Sequence, residues 1–126
     1  MKIIDTVVLI GSILKNKHHD VAFNHLRSVR NKKEIYVPSS ALIEFDLILK
    51  NRGYTQEERK ITFDAIMPYI PERKVLPITP EVISQIPSLE SELSYFDAFI
   101  VAYALNLKAT VITTDNEISK WVEVEW

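Results

Sequence analysis

The sequence predicts an α/β sandwich with a mostly parallel sheet, on two observations. Short apolar runs recur along the chain at Lys2–Asp5, Glu34–Val37, Lys74–Leu76, Ala109–Ile112 and Trp121–Val124. Between them lie longer segments with apolar residues at helical spacing, the alternation that joins parallel strands through crossover helices. A length of 126 residues, with no repeat, low-complexity stretch or linker, suits a single domain over 1–126.

Each element has its own signal. Lys2-Ile3-Ile4-Asp5 is a short strand ending at a carboxylate. Thr6–Lys15 is apolar throughout and reads as strand or helix on periodicity alone. His18–Val29 carries Val21, Ala22, Phe23, Leu26 and Val29 on a helix, which the polar run Arg30-Asn31-Lys32-Lys33 ends. After the strand Glu34–Val37, Pro38-Ser39-Ser40 opens a helix to about Asn51, and Gly53 stops it. Ser39 and Ser40 read as caps of that helix rather than nucleophiles, since no G-x-S-x-G exposes them. Thr55-x-x-Glu58 is a capping box for the next helix, which carries Ile61, Ala65 and Ile66 until Pro68 and Pro71. Thr79-Pro80 starts another helix, with Pro at its first position. Ser94–Leu107 is an apolar helix, Ala109–Ile112 a buried strand and Thr114–Lys120 one or two turns. Trp121–Val124 is the last strand.

Composition narrows the chemistry. With no cysteine there is no thiol nucleophile, disulfide or cysteine-bound metal. Two isolated glycines, Gly11 and Gly53, cannot write a phosphate-cradling glycine loop, and no pair of the three histidines forms H-E-x-x-H. Carboxylates and hydroxyls are left. The net charge of −2 divides unevenly, with a balance of +4 over residues 1–74 and −6 over residues 75–126. The basic half either offers an anionic partner a surface or consists of solvated helix faces, and a global charge near zero opposes nonspecific DNA coating. The apolar run Val7–Leu14 is too short to span a bilayer and lacks a cleavage signal, so the expected location is the cytoplasm, with no membrane partner.

Ligands of such folds bind at the carboxyl ends of the strands, which singles out particular acids. Asp5 follows the first strand, and Asp115 follows the fourth through Thr113-Thr114. Glu44 has Ala41, Leu47 and Ile48 as helical neighbours and faces inward; Asp97 has Ile100 and Val101. Capping is the competing role for three of them: Asp5 before Thr6, Asp97 within Ser94-x-x-Asp97, and Asp115 before a short helix that Thr114 also could cap. Asp46 reads as a surface acid paired with Lys50. Carboxylates crowded on one rim raise one another's pKa unless a cation joins them, and an all-oxygen site suits Mg²⁺ or Mn²⁺. Such an ion turns water into a nucleophile for phosphodiester hydrolysis. His18 and His25 share a helix face but are poor ligand candidates, and Tyr95, Phe96, Phe99 and Tyr103 read mostly as core.

Four segments together resemble a PIN domain, and within that group a small VapC-type toxin ribonuclease. They are Ile3-Ile4-Asp5-Thr6, Val37-Pro38-Ser39-Ser40-Ala41-Leu42-Ile43-Glu44, Leu93–Ala102 and Val111-Ile112-Thr113-Thr114-Asp115. The resemblance implies a three-layer α/β/α sandwich around a five-strand parallel sheet. It implies catalytic acids at Asp5, Glu44, Asp97 and Asp115, with Asp5, Asp97 and Asp115 as metal ligands for Mg²⁺ or Mn²⁺. It matches Thr113 and Thr6 to hydroxyls beside the fourth and first acids. The implied substrate is single-stranded RNA. The implied partners are an antitoxin protein and a second copy in a homodimer, both on the helices flanking Gly53 that carry Phe45, Leu49, Ile61 and Ile66. Val7 and the pair Glu92-Leu93 depart from the family's usual asparagine and glycine without removing a ligand.

Rival classes lack their residues. An aspartate-nucleophile phosphatase needs D-x-D after the first strand, where position 7 is Val; a phospho-receiver needs an acid closing the third. A nuclease of RNA processing and a non-catalytic PIN-like binding module are the remaining alternatives, and four retained acids oppose the second.

Overall fold

Residues 1–126 of the computed structural model form five strands and seven α-helices. The strands are β1 (Lys2–Ile4), β2 (Ile35–Pro38), β3 (Val75–Leu76), β4 (Thr110–Ile112) and β5 (Val124–Glu125). The helices are α1 (Thr6–Ile13), α2 (His19–Asn31), α3 (Ser39–Asn51), α4 (Gln56–Ile66), α5 (Pro80–Leu89), α6 (Tyr95–Leu107) and α7 (Asn116–Ser119). Two single 3₁₀ turns, Met67–Tyr69 and Glu72–Lys74, link α4 to β3. All four strand pairings are parallel, in the order β3-β2-β1-β4-β5. The chain builds outward from β1 to β3, then returns past β1 to β4 and β5. Right-handed crossovers therefore put the helices of the first connections and those of the later ones on opposite faces of the sheet. This is the five-strand α/β architecture expected from the sequence.

The ambiguous segment after β1 is helix α1, and its closeness to α2 explains a glycine. A Cβ at Gly11 would meet the Ala22 Cβ at 2.7 Å, closer than two carbons can approach. Gly53 serves differently: it has φ +85° just past α3, a conformation that L side chains resist. Thr55 and Glu58 close their reciprocal capping box at 2.9 and 3.1 Å. Thr79 caps α5, with Pro80 in its first turn.

The core is formed by Ile3, Ile4, Val111 and Ile112 of the central strands, with Phe45, Leu49, Leu26, Ile100 and Val101 packed around them. Phe99 and Tyr103 are core as expected, whereas Tyr95 is 51% exposed at the start of α6. No helix is long and apolar enough to cross a membrane.

Three local expectations need correction. Pro38 occupies the N-cap position of α3, so Ser39 and Ser40 are its first helical residues; their hydroxyls are buried without a hydrogen-bond partner. Asp46 pairs with Arg59 of α4, at 2.8 and 2.6 Å, because the planar guanidinium fork grips both carboxylate oxygens across the α3–α4 hairpin. Lys50 is not its partner. Phe45, Leu49 and Ile66 face the core, and only Ile61 of that expected apolar surface is exposed. The apolar surface of this hairpin comes instead from Ile43 and Leu47, 47% and 40% exposed. With Leu42, Phe63 and Arg59 they line an open groove of about 690 Å³.

Candidate active site

The sheet reverses its winding between β1 and β4, and open α/β sheets bind ligands beyond the carboxyl ends of the strands at such a point. The register Ile4↔Ile112 brings the next residues, Asp5 and Thr113, face to face. The Thr113 hydroxyl donates to Asp5 Oδ2 at 2.7 Å, and its oxygen accepts the Asp115 backbone N–H at 3.0 Å. One buried hydroxyl thus ties the first acid to the fourth. The other Asp5 oxygen, Oδ1, accepts the Thr6 N–H at 2.8 Å, so Asp5 does cap α1. Its two oxygens are thereby held in fixed directions.

Glu44 and Asp97 come from two further helices. The Thr6 hydroxyl donates to Glu44 Oε1, which holds the half-buried glutamate toward the first acid. At the start of α6, Ser94 is the cap, accepting the Asp97 N–H at 3.3 Å. The capping box suggested by Ser94-x-x-Asp97 is closed on one side only, unlike the box at Thr55. Asp115 is itself the N-cap of α7, with Oδ1 accepting the Glu117 N–H at 2.8 Å; Thr114 does not cap it. Capping and site geometry coincide in Asp5 and Asp115, since a capping acid is held rigidly at the end of a strand-to-helix turn.

The electrostatics are those of an uncompensated acid cluster. Asp5 is 5% exposed, and burial, opposed by its bonds from Thr113 and Thr6 and reinforced by Asp97 and Glu44, pushes its carboxyl up to about 7. Burial also raises Glu44, with Asp97 and Asp115 adding to the shift against the Thr6 bond. Asp97 is raised by burial, opposed by the Ser94 hydroxyl and reinforced by Asp115 and Glu117. None of the four forms an ion pair with Lys, Arg or His. No three of them close to within metal-cage distance of one another. An all-carboxylate donor set lacking positive charge suits a hard divalent cation, and Asp5, with both oxygens already aimed, is its best-prepared member.

Sequence reasoning located all four acids but missed their flank. Glu92, Glu117, Lys120 and Trp121 line an adjoining recess of about 500 Å³. Trp121 read only as the start of a strand, and Glu117 lies in a short helix one or two turns long; neither has a local pattern that announces a cleft. The histidines stand apart: His18 and His25 pack their rings against Trp126 rather than forming a metal site.

Comparison with known proteins agrees with this architecture. Three solved structures share the fold over nearly the full length. VapBC2 from Rickettsia felis, bound to a DNA fragment from its promoter, matches with a TM-score of 0.74 and 18% identity, covering 99% of this chain and 98% of that one. FitAcB from Neisseria gonorrhoeae gives 0.71 and 18%, covering 98% and 96%. A toxin–antitoxin complex from Klebsiella pneumoniae gives 0.69 and 16%, covering 100% and 97%. A search of curated proteins found no match. The family model for the PIN domain matches residues 2–123, which hold β1 to β4, all seven helices and every acid of the rim, and the chain therefore belongs to the PIN domain family.

Proposed function

We propose that this protein is a VapC-type toxin: an endoribonuclease that cuts single-stranded RNA with Mg²⁺ or Mn²⁺ in the cytoplasm and is restrained by an antitoxin. The observation that carries this reading is the buried Asp5 carboxyl, held at both oxygens and raised further by Asp97 and Glu44, with no counter-charge. PIN domains are generally nucleases, and solved neighbours of similar size are toxin–antitoxin complexes.

Asp5, Asp97 and Asp115 are the carboxylates that would hold the ion. A bound Mg²⁺ or Mn²⁺ supplies the missing positive charge, orients the scissile phosphate and makes water more acidic. Thr113 and the Thr6 N–H each hold one Asp5 oxygen at the end of β1. Glu44, raised by burial and steadied by Thr6, is placed to accept the proton of the attacking water. As that water's oxygen bonds to phosphorus, the bond from phosphorus to the leaving sugar oxygen breaks.

The groove along α3 and α4 suits an amphipathic antitoxin segment, with Leu42, Ile43, Leu47 and Phe63 for its apolar side and Arg59 and Lys60 at its margin. A homodimer through the same hairpin belongs to this reading; light scattering that finds only monomer at high micromolar concentration refutes that part.

The deciding experiment is cleavage of single-stranded RNA by the purified protein. Cutting is expected with Mg²⁺ or Mn²⁺ and none in EDTA. No cutting with either ion refutes the nuclease reading.

A further inference from the structure

The amino ends of β2 and β3, opposite the acid rim, carry a second recess of about 380 Å³ with the reverse chemistry. It gathers Arg30, Lys32 and Lys33 from the end of α2, Tyr36 from β2, and Arg73 and Lys74 from the 3₁₀ turn before β3. Five of the chain's fifteen Lys and Arg residues therefore meet in one hollow. None pairs with an acid, and no acid lines the wall.

Lys74 is built into the fold. It is 5% exposed, donates to the Lys32 and Lys33 carbonyls at 2.7 and 3.1 Å, and sits 4.4 Å from the centre of the Tyr36 ring. It closes the last carbonyls after α2 and fixes the turn that bears Lys32 and Lys33. Burial, joined by the charge of Arg73, pushes the Lys74 ammonium below its usual range, while Glu34 opposes this from outside the hollow. The other four cations are exposed, and only Arg30 has a bond, to the Pro68 carbonyl at 3.3 Å.

We propose that this recess binds the phosphodiester backbone of the RNA substrate at a point away from the cut, so that one strand is gripped at both ends of the sheet. The proposal rests on the ribonuclease reading above. The strand β2 is only about 13 Å long, at roughly 3.3 Å per residue. Strand β1 lies two strand spacings, about 10 Å, from β3, so a strand of several nucleotides running around the β3 edge joins the two ends. Phosphodiester is favoured over an acidic protein segment because the hollow has Tyr36 as its single apolar contact. An amphipathic peptide needs apolar anchors, which the α3–α4 groove has and this recess lacks.

The test uses Lys32→Gln, Lys33→Gln and Arg73→Gln combined, all exposed positions, with Lys74 left to hold the turn. Long single-stranded RNA and a tetranucleotide are compared as substrates. For long RNA, KM is expected to rise at least about fivefold with kcat unchanged, while the tetranucleotide stays within about twofold. In the uncutting Asp97→Asn background, the slope of log affinity against log salt for long RNA is expected to fall by about 2 when the three cations are removed. Equal losses on both substrates, or an unchanged slope, overturn the proposal. So does polyglutamate that competes with RNA of equal charge on equal terms, which assigns the hollow to an acidic protein. If the wild-type protein cuts no RNA but the slope still falls, the nuclease reading fails while the backbone site stands.

Discussion

At the carboxyl ends of β1 and β4 four acids share one rim, two of them tied through the Thr113 hydroxyl; at the amino ends of β2 and β3 four exposed cations flank one fixed lysine. Both clusters lack counter-charge, yet they are built differently. Asp5 is buried and bonded at both oxygens, and its neighbours raise it further, so the acid end stores repulsion that a cation relieves. Four of the five cations extend into water, where screening weakens their mutual repulsion at little cost to the fold. Single changes at the acid end should therefore have large effects that depend on geometry. Changes at the basic end should add up gradually and fade with salt.

The sharpest break between the two ends is Asp97→Asn. Asn keeps the shape, and the α6 cap is undisturbed because Ser94, not the Asp97 carboxyl, provides it. RNA cleavage is expected to fall at least about a hundredfold with an unchanged circular-dichroism spectrum, as for loss of a charge that polarises the reacting group. Cleavage near the wild-type rate would assign Asp97 to helix structure alone.

Thr113→Val tests whether fixed geometry matters apart from charge. The variant keeps all four acids and removes the hydroxyl between Asp5 and Asp115. Activity is expected to fall about tenfold, in the range for groups that orient metal ligands. The Thr113 bond lowers the Asp5 pKa, so its loss should also move the acid limb of the pH–rate profile upward. A lower rate with an unmoved limb would break that link.

The stored repulsion has a pH signature. Asp5 holds its proton up to about 7 when folded, against 3.8 for an ordinary aspartate. The folded chain thus binds the extra proton between those values, and the stability Asp5 contributes at low pH is lost as pH rises through about 7. Without divalent ions, this group alone lowers the melting temperature across that interval. Mg²⁺ or Mn²⁺ competes with the proton, so the gain in melting temperature from millimolar ion should be larger at about pH 8 than at about pH 5. An equal gain at both would place the ion elsewhere.

The smallest effect is expected at Asp46→Asn, an acid bound to Arg59 on the α3–α4 hairpin and outside both clusters. Arg59 holds Asp46 below the usual carboxylate range, yet both side chains remain partly exposed, and such pairs contribute little. Cleavage should change less than about threefold. A loss matching that at Asp97 would mean the two acids share one role.

Much of the carboxyl-end rim was legible before any coordinates. Asp5 and Asp115 follow apolar strands, and Glu44 and Asp97 have apolar neighbours at helical spacing; strand ends and helix faces are local properties read over a few residues. Thr55-x-x-Glu58, Thr79-Pro80 and Gly53 marked real helix ends for the same reason, because caps and left-handed turns are settled within one turn of chain. The resemblance implied that those acids serve one site, beyond what spacing alone could say.

Tertiary structure decided the pairings that cross the chain. Only the parallel register of β1 with β4 turns Thr113 into the link between Asp5 and Asp115, across 108 residues of sequence. Asp46 had Lys50 within helical reach, yet the α3–α4 hairpin delivered Arg59, whose fork fits both oxygens better than a point charge. Ile43 and Leu47 rather than Phe45 and Leu49 face outward, because which side of α3 meets the sheet depends on how the whole crossover docks. The basic hollow joins residues 30–36 to residues 73 and 74 only because β2 and β3 lie side by side. Sequence by itself determined which elements form and which acids sit at their ends, since backbone propensity and capping act locally. The fold determined which of those groups touch, since strand order and helix docking are set by burial of the whole core at once.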